Sequence, residues 1–253
     1  MVKVEARRNL AKDTVECTRK GEYIYKGKIK KLRIPKNPEC IEDMAIKEKL
    51  NQDKWFCVKD KIEKIGVTDF IEKYGTENPE KTMIVLNFAS AKNPGGGFLN
   101  GAVAQEECIS YVSTLYVSQI KAMEFYYEYN REKHNPLYSN RIIYSPDIQV
   151  FKKFPNGETL EEPINCSIIT SPAPNAGVAR SRGIKECEIE KVMKERIYKI
   201  VSLIAEKNPD CAVLGAYGCG VFRNNREFVL QTFEEAINDI IPANSMDIVF
   251  AII

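Results

Sequence analysis

The stretch MIVLNFASAKNPGGGFLNGAVAQEE, Met83–Glu107, decides the fold. Its first six residues, Met83–Phe88, form a short apolar run suited to a buried strand. A proline–glycine loop follows at once, with consecutive glycines at Gly95, Gly96 and Gly97. From about Gln105, the residues Cys108, Val112, Leu115 and Gln119 recur at helical spacing. Ile109, Tyr116, Ile120 and Met123 flank them, which predicts a helix through this region. Strand, glycine loop and helix in direct succession mark an α/β connection.

The rest of the chain repeats that alternation. RIIYSPDIQVFK (Arg141–Lys152) and NCSIIT (Asn165–Thr170) read as strands joined through the turn residues Pro155, Asn156 and Gly157. Met193, Ile197, Ile200 and Ile204 mark a helix, and CAVL (Cys211–Leu214) marks a strand that leads into the loop GAYGCG. A last helix carries Val229, Phe233, Ala236 and Ile240, and MDIVFAII closes the chain as a strand. The class is therefore α/β, with a mixed or largely parallel sheet covered by helices on both faces. Residues 1–80 are polar and lysine-rich and read as an N-terminal, mostly helical extension packed on the outside. Residues 81–253 read as the catalytic core of one domain spanning 1–253, a length that can bury a sizeable core.

Composition narrows the function. The 253 residues are 44% hydrophobic and 28% charged, with 37 Lys plus Arg against 35 Asp plus Glu and a formal charge of +2. So even a balance argues against binding nucleic acid or anionic membrane through bulk charge. An anionic ligand must be caught by local devices. The opening MVKVEARRNLAKDTVE lacks the apolar stretch of a secretory signal, and no apolar run approaches the roughly 20 residues of a membrane span. None of the eight cysteines forms a CxxC pair, which fits reduced thiols in a cytoplasmic protein without a metal site. The single histidine, His134, excludes multi-histidine metal sites, and its place in the charged stretch REKHN speaks for a solvated surface residue and against Ser-His-Asp chemistry. No cofactor is expected.

Ligands of open α/β sheets bind beyond the carboxyl ends of strands. Both glycine-rich segments, NPGGG (Asn93–Gly97) and GAYGCGVF (Gly215–Phe222), follow apolar strands there. Converging backbone N–H groups in such loops can hold a phosphate, although glycine clusters also serve as plain turns. Neither loop is a Walker loop or a GxGxxG turn. Gln105, Glu106 and Glu107 sit between the first loop and its helix. An acidic pair suits a helix N-terminus in any case, but a carboxyl beside a bound diphosphate sugar can also protonate a leaving oxygen and then activate water. Cys219 is a conceivable thiolate without an evident activating base. Tyr126, Tyr127 and Tyr129 either stack on a base or cover the edge of the core.

The triple glycine followed after a short spacer by QEE resembles the signature of the poly(ADP-ribose) glycohydrolases. IIYSPDIQVFK, IITSPAPNAG, LGAYGCGVFRN and the early RRNLAKDTVE are similar to the microbial branch of that family. Two features depart from it. CISYVSTLY follows QEE where the family has an arginine-rich stretch, and Tyr217 stands where Trp is common.

The resemblance implies a macrodomain-like mixed sheet sandwiched between helices, with ADP-ribose lying across the loops at one end. It implies that Glu107 is the acid that protonates the departing ribose hydroxyl and then deprotonates water, and that Glu106 holds hydroxyls of the terminal ribose. Asn87 would touch the same ribose, and Gln105 completes the QEE element at the ligand. Gly95, Gly96 and Gly97, with Gly218, Cys219, Gly220, Val221 and Phe222, would wrap the diphosphate and sugar. The implied reaction is metal-free hydrolysis of ribose–ribose O-glycosidic bonds, releasing ADP-ribose, by a cytoplasmic monomer whose partners are poly(ADP-ribose) or ADP-ribosylated protein. Two alternatives share the fold and the loops: a hydrolase of mono-ADP-ribosylated substrates and a non-catalytic ADP-ribose reader.

Overall fold

The run Met83–Phe88 becomes the middle strand of the sheet because both of its faces are apolar. The computed structural model describes residues 2–253. In chain order, α1 (Val2–Lys20) leads to a hairpin of β1 (Glu22–Tyr25) and β2 (Lys28–Lys31). The short strands β3 (Glu39–Ile41) and β4 (Ile62–Glu63) precede α2 (Val67–Glu77) and β5 (Met83–Phe88). Three short helices follow: α3 (Gln105–Val112), α4 (Leu115–Gln119) and α5 (Tyr129–Glu132). Then come β6 (Ile142–Lys152), β7 (Thr159–Ser171), α6 (Ala176–Ser181), α7 (Glu186–Lys207), β8 (Cys211–Leu214), α8 (Arg226–Ile240) and β9 (Asp247–Ala251).

The main sheet has seven strands in the order β3-β6-β7-β5-β8-β9-β4. β3 pairs antiparallel to β6, and β6 antiparallel to β7. The pairs β7–β5, β5–β8, β8–β9 and β9–β4 are parallel. Ile84 and Leu86 of β5 pack with Met193, Ile197 and Phe233 of α7 and α8. Met83 and Val85 pack on the other face with Phe70, Ile71, Ile109 and Val112 of α2 and α3. That period-two alternation is why a continuous apolar run suits a strand covered on both sides. Parallel pairing has a second consequence: the loops leaving β5 and β8, neighbours in the sheet, emerge side by side at the same edge.

β3 and β4, from the first 80 residues, form the two outer edges of this sheet. Between them, a strap with little regular structure crosses α7 and α8. Its backbone N–H groups are satisfied by helix side chains: Lys47 N donates to Ser202 Oγ, and both Trp55 N and Phe56 N donate to Asn238 Oδ1. Among the described residues no helix is long and apolar enough to cross a membrane.

The helix read from Gln105 to Met123 is interrupted. At Ser113–Thr114 the chain leaves helical geometry and pairs with β6, Ser113 bridging Val150 and Thr114 N donating to Gln149 O at 3.0 Å. A register shift in β6 between Ser145 and Ile148 accompanies this graft. The apolar spacing continues in phase across the break, so periodicity alone does not reveal it. After α4, a 3₁₀ turn (Ile120–Ala122) and a π-helical turn (Met123–Glu128) bury Tyr126 and Tyr127 against Ile143. These two tyrosines therefore cover the core edge.

Arg196 of α7 is almost fully buried and ties two segments behind the β7 end of the sheet. Its guanidinium donates to Pro172 O at 2.6 Å, Leu137 O at 3.0 Å and Asn140 Oδ1 at 3.2 Å. Arg196→Met keeps most of the stem volume but strands several buried acceptors, each costing about 1–3 kcal/mol when unpaired. We expect a loss of about 3 kcal/mol or more in urea unfolding, and a loss below about 1 kcal/mol would contradict this account.

Candidate active site

The first glycine loop and the start of α3 fold into one unit through the two carboxyls of QEE. Glu106 is buried, and three donors reach it. Oε1 accepts from Asn87 Nδ2 at 3.2 Å and Gln119 Nε2 at 3.1 Å, and Oε2 accepts from Ser90 N at 2.7 Å. Burial pushes its pKa up to about 8, against the opposing pull of these three hydrogen bonds. Glu107 lies beside it at the cleft wall, 9% exposed, and its Oε1 accepts from Gly97 N at 2.8 Å. Among the described residues no donor engages Glu107 Oε2, so one oxygen is fixed and the other is free.

Gly96 shows why this loop needs glycine. Its φ is +60°, and a Cβ there would collide with Glu107 Oε1 and come within 3.1 Å of Glu106 Oε2. Any side chain at this position displaces the carboxyl pair itself. Gly95, also in the left-handed region, turns its N–H inward onto Gln119 Oε1 at 2.9 Å.

The second loop is built differently. Gly218 has φ +70°, and a Cβ there would crowd Ala173 and stand 2.8 Å from Asn224 Nδ2. Asn224 pins the loop, donating to Pro174 O at 2.8 Å and Gly218 O at 2.9 Å. Gly220, by contrast, has nothing within 4 Å of an added Cβ, and its neighbour Val221 is 82% exposed. The tip of this loop is thus open on the side where a ligand would arrive.

Two adjoining clefts result. One, of about 520 Å³, is lined by Gly96, Gly97, Glu106, Glu107, Val221 and Phe222 among others. The other, of about 500 Å³, includes Val67, Asp69, Phe154, Gly218, Gly220 and Ile252 in its walls. Phe88, Ala104, Val221 and Phe222 border both. An elongated ligand can therefore lie across both glycine loops with one end at Glu107.

The family described as microbial-type PARG, catalytic domain, matches residues 11–153. The chain belongs to the microbial-type PARG family. Among solved structures, the poly(ADP-ribose) glycohydrolase (PARG) of Thermomonospora curvata bound to the inhibitor ADP-HPD is 29% identical, over 98% of this chain and 93% of its own, with a TM-score of 0.81. The enzyme of Deinococcus radiodurans in complex with ADP-ribose is 35% identical over 76% of this chain and 75% of its own, with a TM-score of 0.67. A mutant of the latter, also with ADP-ribose, is 31% identical over 97% and 85%, with a TM-score of 0.70. No curated protein matches. The mixed sheet between helices expected from the sequence is the fold this chain shares with those PARG structures.

Within this microbial-type PARG fold, several expected ligand residues are also tied to the protein itself. Gln105 is a brace: its Oε1 accepts from Phe88 N at 2.9 Å and its Nε2 donates to Leu86 O at 2.7 Å, so both amide atoms staple α3 to the end of β5. Asn87 lies beneath the cleft, fully buried, with Nδ2 holding Glu106 and Thr170 Oγ1 and its Oδ1 without a partner. Cys219 packs against the core, and burial pushes its thiol up to about 11, which removes it as a neutral-pH thiolate. His134 is exposed.

The sequence reading missed Gln119 and Ser90 as holders of Glu106. A signal for Gln119 was present, since an amide at a core position of an apolar periodicity needs partners. Nothing in the sequence marks Ser90, because it uses its backbone N–H.

The raised pKa of Glu106 has a definite sign. Its folded value lies above the unfolded one, so its stabilising contribution is complete at acidic pH and declines as pH rises towards about 8. Glu106→Gln cannot ionise and escapes that decline. We expect the unfolding free energy of Glu106→Gln, relative to the parent, to rise by about 2 kcal/mol or more between pH 5 and pH 9. A difference independent of pH would show that Glu106 titrates normally.

Proposed function

We propose that this chain hydrolyses the ribose–ribose O-glycosidic bonds of poly(ADP-ribose) and releases ADP-ribose, with Glu107 as acid and then base. The observation that carries the reading is the asymmetry of the carboxyl pair: Glu106 has both oxygens engaged, whereas Glu107 has one oxygen fixed by Gly97 N–H and one free at the cleft. Protonated Glu107 gives its proton to the departing ribose oxygen as the anomeric C–O bond breaks. The resulting carboxylate then takes a proton from water as that water adds to the oxocarbenium carbon. The N–H groups of Gly95, Gly96 and Gly97 are all taken by Gln119, Asn93 and Glu107, so the diphosphate lies along the Gly218–Phe222 loop, where it supplies negative charge near that cation.

With its pKa raised to about 8, Glu106 carries a proton at neutral pH, and that O–H can donate to a ribose hydroxyl while its oxygens accept from the three protein donors. Phe222 borders the sugar, and the second cleft takes the remainder of the nucleotide. Asn87 acts through Glu106.

All of these groups come from one chain, so the proposed site is complete in a single copy. Eight free thiols support a reducing, cytoplasmic setting, and the near-neutral charge supports action without nucleic acid.

Glu107→Gln keeps shape and reach but cannot transfer the proton. It should leave ADP-ribose affinity within a few-fold in calorimetry, while ADP-ribose release from polymer falls by roughly 10²–10⁴. Normal turnover in this variant places the acid elsewhere. A parent that binds ADP-ribose yet releases none from polymer, but does release it from mono-ADP-ribosylated protein, is the alternative hydrolase, and one that releases none from either is a reader.

The reaction assigned to Glu107 needs no metal. Activity should therefore survive EDTA, and loss on chelation with recovery on Mg²⁺ would overturn the mechanism.

A further inference from the structure

We propose that α1 is part of the catalytic apparatus, with Arg7 as a positioning residue that sets the hydrogen bond between Gly97 N–H and Glu107. The proposal rests on the assignment of Glu107 as the acid. The turn Phe98–Ala102 joins Gly97 to α3, and its carbonyls are gripped from two directions. From α1, Arg7 Nε donates to Gly101 O at 2.8 Å and Arg8 Nε to Asn100 O at 3.2 Å. From α3, Tyr111 Oη reaches Phe98 O at 2.9 Å and Ala102 O at 3.0 Å.

Gly101 sits directly under α1. Its φ is +86°, and a Cβ there would stand 2.8 Å from Val4 Cγ1 and 3.0 Å from Val4 O. The turn closes back on Gly97, whose carbonyl accepts from Asn100 N and Ala102 N at 3.0 and 3.2 Å. The peptide gripped by Arg7 is thus hydrogen-bonded to the residue whose N–H fixes Glu107 Oε1.

The helix itself is anchored independently of the turn. Thr14 Oγ1 donates to Tyr111 O at 2.6 Å, and the buried Lys152 Nζ donates to Thr14 Oγ1 at 2.9 Å. Leu10 packs over Gly157, where a Cβ would lie 2.6 Å from Leu10 Cδ1. α1 is therefore a fixed beam between the β6–β7 turn and the catalytic turn. Val4, Arg7 and Arg8 all precede residues 11–153, the segment matched by the family. An acid misplaced by about 1 Å can cost around a hundredfold in rate while leaving ligand binding intact.

The test uses the full chain with Arg7→Ala and Arg7→Lys. Arg7 is only half-buried, and thermal unfolding checks that both variants fold. For Arg7→Ala we expect kcat on poly(ADP-ribose) to fall about tenfold or more, with KM and ADP-ribose affinity within about threefold. Amide hydrogen exchange should accelerate across residues 96–102. Arg7→Lys retains a donor and should recover part of both effects. Parental kcat in Arg7→Ala, unchanged exchange in that segment, or equal losses of kcat and ADP-ribose affinity would each overturn the proposal. A parent that releases no ADP-ribose from polymer defeats the glycohydrolase reading instead, and the exchange measurement then still decides whether Arg7 holds the turn.

Discussion

The carboxyl of Glu106 lies in the interior, where it meets Asn87 from β5, the backbone N–H of Ser90 just beyond that strand, and Gln119 from α4. Taking a carboxyl out of water is costly, and its raised pKa records that cost. These donors must converge for the site to form, and each comes from a segment that also shapes the cleft. The requirement locks the end of the central strand, the first glycine loop and the interrupted helix into one arrangement. Gln119 extends the lock, since its own carbonyl oxygen accepts from Gly95 N.

This arrangement explains why two adjacent glutamates take different parts. Glu106 points into the donors and serves as a fixed wall. Glu107, one position on along α3, reaches Gly97 and the cleft, and among the described residues its second oxygen meets no donor. Gly96 packs so closely on the pair that the loop and the carboxyls specify each other's positions. The glycines of the second loop divide in a comparable way: Gly218 is needed for packing against Ala173 and Asn224, whereas Gly220 faces open space. The first kind maintains the loop, and the second leaves room for a ligand.

Support for the site also arrives from both ends of the sequence. The parallel pairing of β5 with β8 brings loops more than a hundred residues apart to one sheet edge. From the other side, α1 reaches across to the turn at Gly101. Even the sheet depends on distant segments, because its two edge strands come from residues that carry little strand signal of their own.

Local chemistry made much of this legible in the sequence. β5, β8, α7 and α8 follow from apolar periodicity, and the glycine loops with QEE follow from the residue types that anion binding and acid–base catalysis require. Family membership was legible through the same motif. The tertiary structure alone decided which polar groups hold one another inside the protein. The bond of Gln105 to both Phe88 and Leu86, which staples α3 to β5, is not readable from the sequence; Gln119 reads as a helix-face residue and is a holder of Glu106. The break at Ser113–Thr114 belongs with these, because its cause is β6, distant along the chain. The physical reason is common to all three. Hydrophobic periodicity is set by neighbours a few positions away, whereas a hydrogen-bond partner is chosen by whatever segment the fold brings within about 3 Å.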